Sequence, residues 1–343
     1  MLPPEVVLDR WIKERRQRCE SGFSEYVGTL NIDGVDPPSF RSFLQQIKET
    51  MNEELRLEGP NASGGVKHPP FHFDYIEVRS QIENAHAVQH AGFAFIAVTQ
   101  PMVELIFRIS RRLSRASDVV RLLGLAPEAF DQEILHALLF QVQMNFLVSH
   151  EYTHHIHRHC VDSSAATLLR NELRHDTAYG GLDYQAQELD ADGYAVMLVL
   201  AHLLRSDRRQ IALEQLGRAG LSAIADDELL LRCFFVAVLA YFCSFWRSGA
   251  GSGSLYELTH PPPPVRIKYV INVAEMWCGL NGSLPKAWFD PTRFQSLFSA
   301  AAAVSGLAKQ PWHALMSVLR SPDGAEYDRQ LFAKFEQVRR NTG

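Results

Sequence analysis

An α+β fold, mostly helical with a small mixed sheet, is what the 343-residue sequence predicts, and three observations carry that expectation. Apolar residues recur at helical spacing over long stretches, as in Ile134, Leu135, Leu138, Leu139, Val142 and Phe146. A short, partly β-branched apolar run, Phe93 to Val98, passes straight into a helix start at Thr99 or Gln100 with Pro101. The composition, 46% hydrophobic and 21% charged with a formal charge of -5, is that of a folded globular chain rather than a disordered one.

Taken in order, residues 1–60 read as helical, with Ser39 a plausible cap for the helix that follows it. The breaker-rich stretch Gly59 to Pro70 is a loop that sets off this N-terminal helical appendage from a core over residues 61–283. The strand at Phe93 to Val98 comes next, and from Asp131 a helical pattern continues without a breaker to about Cys160. Further helices are predicted over about Gln185 to Leu204 and Asp227 to Trp246, and a Gly/Ser/Pro-rich connector leads to Pro264. Residues 284–343 read as a C-terminal helical extension. The apolar stretch Leu229 to Trp246 is interrupted near its start by Arg232, which leaves about 14 uninterrupted apolar residues where roughly 20 are needed to cross a bilayer. A buried core helix is expected there, without stable membrane insertion.

Partners are bounded in the same way. The basic clusters Arg108 to Arg115 and Arg205 to Arg209 fall at helix ends, where cations suit the dipole, so no nucleic-acid partner is expected. Five scattered cysteines, mostly among apolar neighbours, suit reduced core thiols. The N-terminal residues lack the apolar region of an export signal, and a cytoplasmic location is expected. Oligomeric state is not legible.

Chemistry concentrates in "SHEYTHHIHRH", Ser149 to His159, with five histidines and one acid. His150, Glu151 and His154 form H-E-x-x-H. On a helix, positions four apart project about 40° from one another, so both imidazoles can reach one ion, with Glu151 roughly 100° round beside it. A polar helix end with surface histidines is the plain alternative, and a third ligand discriminates. The metzincin pattern requires Gly at 157 and His at 160, where this chain has His157 and Cys160. Extrapolated along the helix, His159 falls on the side opposite His150. "QELDADGYA" offers another solution, since Glu188 and Asp192 lie one helical turn apart. Glu188 can ligate the metal while Asp192 accepts a hydrogen bond from the distal nitrogen of a ligand histidine. Ala191 and Gly193 would let that helix pack closely. An acidic first helical turn is the competing reading of the same residues.

With both motifs in hand, the chain resembles the zinc gluzincins of the HtpX and CAAX prenyl endopeptidase family. "HEYTHHIHRH" is similar to the family's H-E-x-x-H-x-x-x-x-H, "ELDAD" to its E-x-x-x-D helix, and "THPPPPVRI" to its T-H-P-x-x-x-x-R-I stretch. "NAHA" followed by "FIAVTQPMVELI" resembles its N-A-F-A strand and the turn into a helix. The resemblance spans roughly residues 83–270 and implies a zincin-like metallopeptidase core. Gln100-Pro101 departs from the family's glycine turn, and its paired membrane helices have no counterpart, so a soluble, divergent relative is expected.

The function so implied is a zinc-dependent endopeptidase with one zinc ion held by His150, His154 and Glu188. Glu151 is the expected general base acting on a metal-activated water. His260, stiffened by the following prolines, is the candidate oxyanion donor, with Arg266 in support. Two further readings of "HPPPP" stand beside that one: a latch in which His260 takes the water's place, and a plain rigid linker. A polypeptide substrate is expected to add to an exposed edge beside Ala94, Phe95, Ile96 and Ala97, unless that strand is interior. His155, His157 and His159 read as polar or supporting groups. The alternatives to this endopeptidase reading are a non-catalytic, zinc-stapled binding protein and a phage-exclusion type protease cutting one specific cytosolic host protein.

Overall fold

The computed structural model describes residues 2–20, 23–58, 68–125, 130–159, 181–217, 223–245, 255–258, 260–306 and 309–342. It is mostly helical with one mixed four-stranded sheet. The chain forms two compact units, Met1–Leu105 with Glu151–Leu173, and Ile106–His150 with Arg174–Gly343.

The first unit is built on the sheet. Helix α1 (Pro4–Gln17) starts on a proline, which suits a position whose N–H has no helical partner. It buries Val7, Leu8, Trp11 and Ile12, two adjacent pairs one turn apart, in a cluster with Phe23, Tyr26, Ile76, Val88, Phe93, Phe95 and Ala97. Strand β1 (Tyr26–Thr29) lies close under α1: a Cβ at Gly28 would stand 2.3 Å from Asp9 Oδ1, so any larger residue would have to displace the Asp9 carboxylate, which accepts from Thr29 N. β1 pairs antiparallel with β2 (Phe71–Val78) at Ile76 to Val78. Further back along β2, helix α2 (Pro38–Glu58) takes over: the Asn52 amide donates to Phe73 O and accepts from Phe73 N, both at 2.9 Å. Asn52 thus stands in for a neighbouring strand, and Lys48 pairs with the buried Asp74 at 2.6 Å. The elements described within residues 1–60, α1, β1 and α2, therefore belong to the sheet's unit and pack on it rather than forming an appendage.

The order β1-β2-β4-β3 puts β4 (Phe93–Thr99) inside the sheet, parallel to β2 and antiparallel to β3 (Ala85–His90). Both of its hydrogen-bonding flanks are used, and every residue of β4 is buried. The expectation that a substrate adds along Ala94, Phe95, Ile96 and Ala97 is therefore overturned, and among the described residues β3 is the outer strand on that side. β4 runs directly into α3 (Gln100–Arg115), where the sequence places the change from strand to helix.

The second unit is helical, and α3 leads through α4 (Ser117–Leu122) to α5 (Gln132–Ile156). Helix α6 (Leu182–Arg205) leads through α7 (Arg208–Gln215) to α8 (Ala223–Phe245). Helix α8 is apolar all round and buried from Leu229 to Cys243 except at Arg232, which caps Leu122 O and pairs with Glu228. Gln143 on α5 reaches Ala237 O at 2.8 Å, and Phe146 packs its edge on Tyr241 and Phe242. Among the described residues, no helix is long and apolar enough to cross a membrane. Helix α9 (Pro263–Asn281) packs on α6. Helix α10 (Pro291–Ser305) covers α8, and after α11 (Lys309–Leu319), α12 (Pro322–Thr342) covers α6. The expected boundary at 284 is not one, since the last helices complete the same core.

Candidate metal centre

α5 carries residues of both units, the division falling between His150 and Glu151, so the spacing of its two histidines is a property of the helix itself. One turn apart, His150 and His154 share a face. His150 Nε2 lies 3.1 Å from Glu188 Oε2, and its Nδ1 lies 3.0 Å from Asp192 Oδ1. Glu188 and Asp192 are themselves one turn apart on α6, so one histidine is gripped at both nitrogens by one helix. The ligand atoms of His150, His154 and Glu188 all lie within 4.8 Å of one another.

Arg266, in the first turns of α9, donates through Nε and Nη2 to the two oxygens of Asp192, each at 2.7 Å, and its guanidinium lies 4.8 Å over the Phe242 ring. A bidentate fork of this kind fixes the carboxylate plane, and through it the imidazole. Burial would raise the Asp192 pKa, but Arg266 and then His150 outweigh it and hold the carboxyl below its usual range. Burial likewise works against a charged His150, yet its hydrogen bonds to Asp192 and Glu188 hold its pKa well above the ordinary imidazole value. The local field favours a positive charge at this spot, whether proton or cation.

His150, His154, Glu151 and Glu188 are 1%, 1%, 2% and 2% exposed. Two imidazoles and two carboxyls so fully withdrawn from water are costly unless a charge of opposite sign compensates the acids. A divalent cation bound by His150, His154 and Glu188 does so, and the two-nitrogen, one-oxygen donor set is one that zinc accepts with a position left open. The residues present therefore fit a metal.

The close approach of α6 and α9 depends on Gly193. A Cβ there would stand 2.6 Å from the Tyr269 hydroxyl oxygen and 2.9 Å from Cε1. Displacing the Tyr269 ring would disturb its edge-on packing against Phe335, with 5.0 Å between centroids. Gly193→Ala is expected to lower stability by about 1–3 kcal/mol through this overpacking, read as a fall in unfolding temperature, and Tyr269→Phe in the same chain should recover part of it.

His260 Nε2 lies 3.4 Å from Glu188 Oε2, the oxygen that His150 also meets. The sequence-predicted residues His150, His154, Glu188, Asp192, Arg266 and His260 are thus brought together, with Glu151 next to His150 on α5. Ala94, Phe95, Ile96 and Ala97 do not form an edge. β4 instead receives His155, whose Nε2–H donates to Phe95 O at 2.9 Å and whose pKa burial lowers to about 4, so the ring stays neutral.

Helical extrapolation misplaces His159. α5 ends at Ile156, four residues short of the expected Cys160, which lies outside the described residues. Arg158 takes φ 58°, the His159 amide bonds back to His154 O at 2.9 Å, and the chain folds over its own last turn. His159 Nδ1 comes to 3.0 Å from His154 Nδ1, so one ring donates and the other accepts, and His159 holds the orientation of a candidate ligand. A glycine or asparagine at position 158 would have signalled such a turn, and arginine does not.

No protein-family model, no curated protein and no solved structure matches this chain, so its resemblance to the gluzincins rests on the quoted motifs.

Proposed function

We propose that this protein is a zinc-dependent endopeptidase with a zincin-like core, a soluble relative of the HtpX type acting on a polypeptide in a reducing, cytoplasmic compartment. The observation that carries the reading is the convergence of His150, His154 and Glu188 on one point, with an intact Glu151 beside it. Zinc bound there would supply a Lewis acid that lowers the pKa of a water from 15.7 to about 7. Glu151 takes the proton from the attacking water and delivers it to the leaving amine. Arg266 and Asp192 keep His150 in one tautomer and one orientation through both proton transfers. His260 donates a hydrogen bond to the carbonyl oxygen as negative charge collects on it. Unpaired thiols buried at Cys233 and Cys243, both with pKa pushed up to about 12 by burial, fit the compartment.

Metal analysis of the purified protein tests the reading. One equivalent of zinc is expected in the parent and little in His154→Ala, and chelation should abolish cleavage of denatured casein until zinc is restored. A parent that binds no divalent metal sinks the proposal. The near-complete burial of all three ligands also suits a zinc that only staples helices, and that second reading predicts zinc without any cleavage.

His260→Ala separates the two roles open to that side chain. As an oxyanion donor it should lower kcat by about 10²- to 10³-fold with little change in zinc content. A gain in activity would identify a latch instead.

A further inference from the structure

We infer that Gln185 and Tyr327 are positioning residues for His260, so that the C-terminal helix α12 is part of the machinery of the proposed peptidase site; the catalytic half of this inference rests on that proposed function.

The Gln185 side chain is fully buried one turn before Glu188 on α6. Its Nε2 donates to Leu255 O at 2.9 Å and to Leu258 O at 2.7 Å. With both amide hydrogens committed to carbonyls, Oε1 is left to accept, and the Tyr327 hydroxyl of α12 donates to it. Tyr327, also fully buried, sets its ring edge-on to Tyr256 at 5.5 Å between centroids, and Gly181 N donates to Leu258 O as well. Residues 255–258 are therefore held from two sides, by α6 and by α12.

His260 lies two residues beyond Leu258, a span of no more than about 7 Å of chain. On its other side Pro262 adopts φ -54° and ψ 143°, the polyproline geometry, and hands over to α9 at Pro263. A carbonyl clamp upstream and a stiff proline run downstream leave the His260 backbone little freedom, and its Nε2 points at Glu188 Oε2. Gln185 and Glu188 lie on adjacent turns of one helix, so the clamp and the ligand carboxylate move together. None of the residues in the clamp touches the reacting atoms; its effect is to fix where His260 stands.

The test uses the full-length, zinc-loaded chain and two variants, Gln185→Met and Tyr327→Phe, the second keeping the ring against Tyr256. Histidine acylation by diethylpyrocarbonate, resolved by peptide mass mapping, should speed up at His260 by about tenfold, the scale of a lost hydrogen bond opening a local segment. The rate at the buried His136 should not change, whereas general loosening would raise both. Zinc content and KM should hold while kcat falls about tenfold, and neither variant should lower kcat further in a His260→Ala background. An unchanged rate at His260, or losses that add fully to that of His260→Ala, would overturn the inference. If Gln185→Met does not fold, Tyr327→Phe decides alone. Should the parent cleave no polypeptide, the proposed peptidase fails, while the acylation rates still decide whether the clamp places His260.

Discussion

Glu151→Gln is expected to retain one zinc and the parental unfolding temperature while lowering kcat/KM on a denatured polypeptide by about 10²- to 10⁴-fold, the usual worth of a positioned general base. Glutamine keeps the size of the side chain and a carbonyl oxygen but cannot take a proton at neutral pH. Because Glu151 is next to His150 on the helix and is not among the converging ligand atoms, the donor set survives the change. Equal cutting by parent and variant would reject Glu151 as the base, whatever the metal content.

A second large effect belongs to Asp192. This carboxylate is fully buried and receives both Arg266 nitrogens and one nitrogen of His150. Asp192→Ala removes the carboxylate that the buried Arg266 guanidinium grips at both oxygens, and removal of one member of such a buried pair costs about 3–5 kcal/mol. Zinc affinity should fall by about 10- to 100-fold at the same time, as His150 loses the group that sets its tautomer. Adding Arg266→Met should recover a good part of the stability, because it removes a buried charge that has lost its carboxylate, but little of the affinity. Denaturant unfolding and competition with a zinc chelator measure the two quantities separately. A double variant no more stable than Asp192→Ala would show that Arg266 finds compensation elsewhere.

The long helices were legible because their periodicity survives burial. The patterns through Phe146, from Gln185 and from Asp227 correspond to α5, α6 and α8 to within a few residues, and the change from strand to helix falls at Gln100. β1 and β2 were not legible. β1 is four residues long and contains a glycine packed against α1, so it carries no usable alternation. β2 mixes His72 and Asp74 into an aromatic run because α2 supplies Lys48 and Asn52 to meet its polar groups, and such compensation comes from a distant segment. Whether β4 lies inside or at the rim could not be read either, since a strand buried on both faces shows no alternation whichever place it holds. At the candidate centre, the spacing within each helix was enough to nominate His150, His154, Glu188 and Asp192. His159 and Gln185 were hidden for different reasons: one depends on a left-handed turn at an arginine, the other on carbonyls some 70 residues away.

The proline run before α9 makes residue count matter more than residue identity. His260 stands at one end of that run and Arg266 in the helix it starts, each committed to an acid on α6, Glu188 or Asp192. Replacing one of the prolines between them loosens the run and, at the buried Pro261 or Pro262, its packing, but keeps the spacing between His260 and Arg266. Inserting a single residue between Pro263 and Arg266 would turn the arginine by about 100° relative to the helix start, or force all of α9 to rotate against the notch at Gly193. Length variation should therefore be poorly tolerated in this short interval, even where its composition can drift.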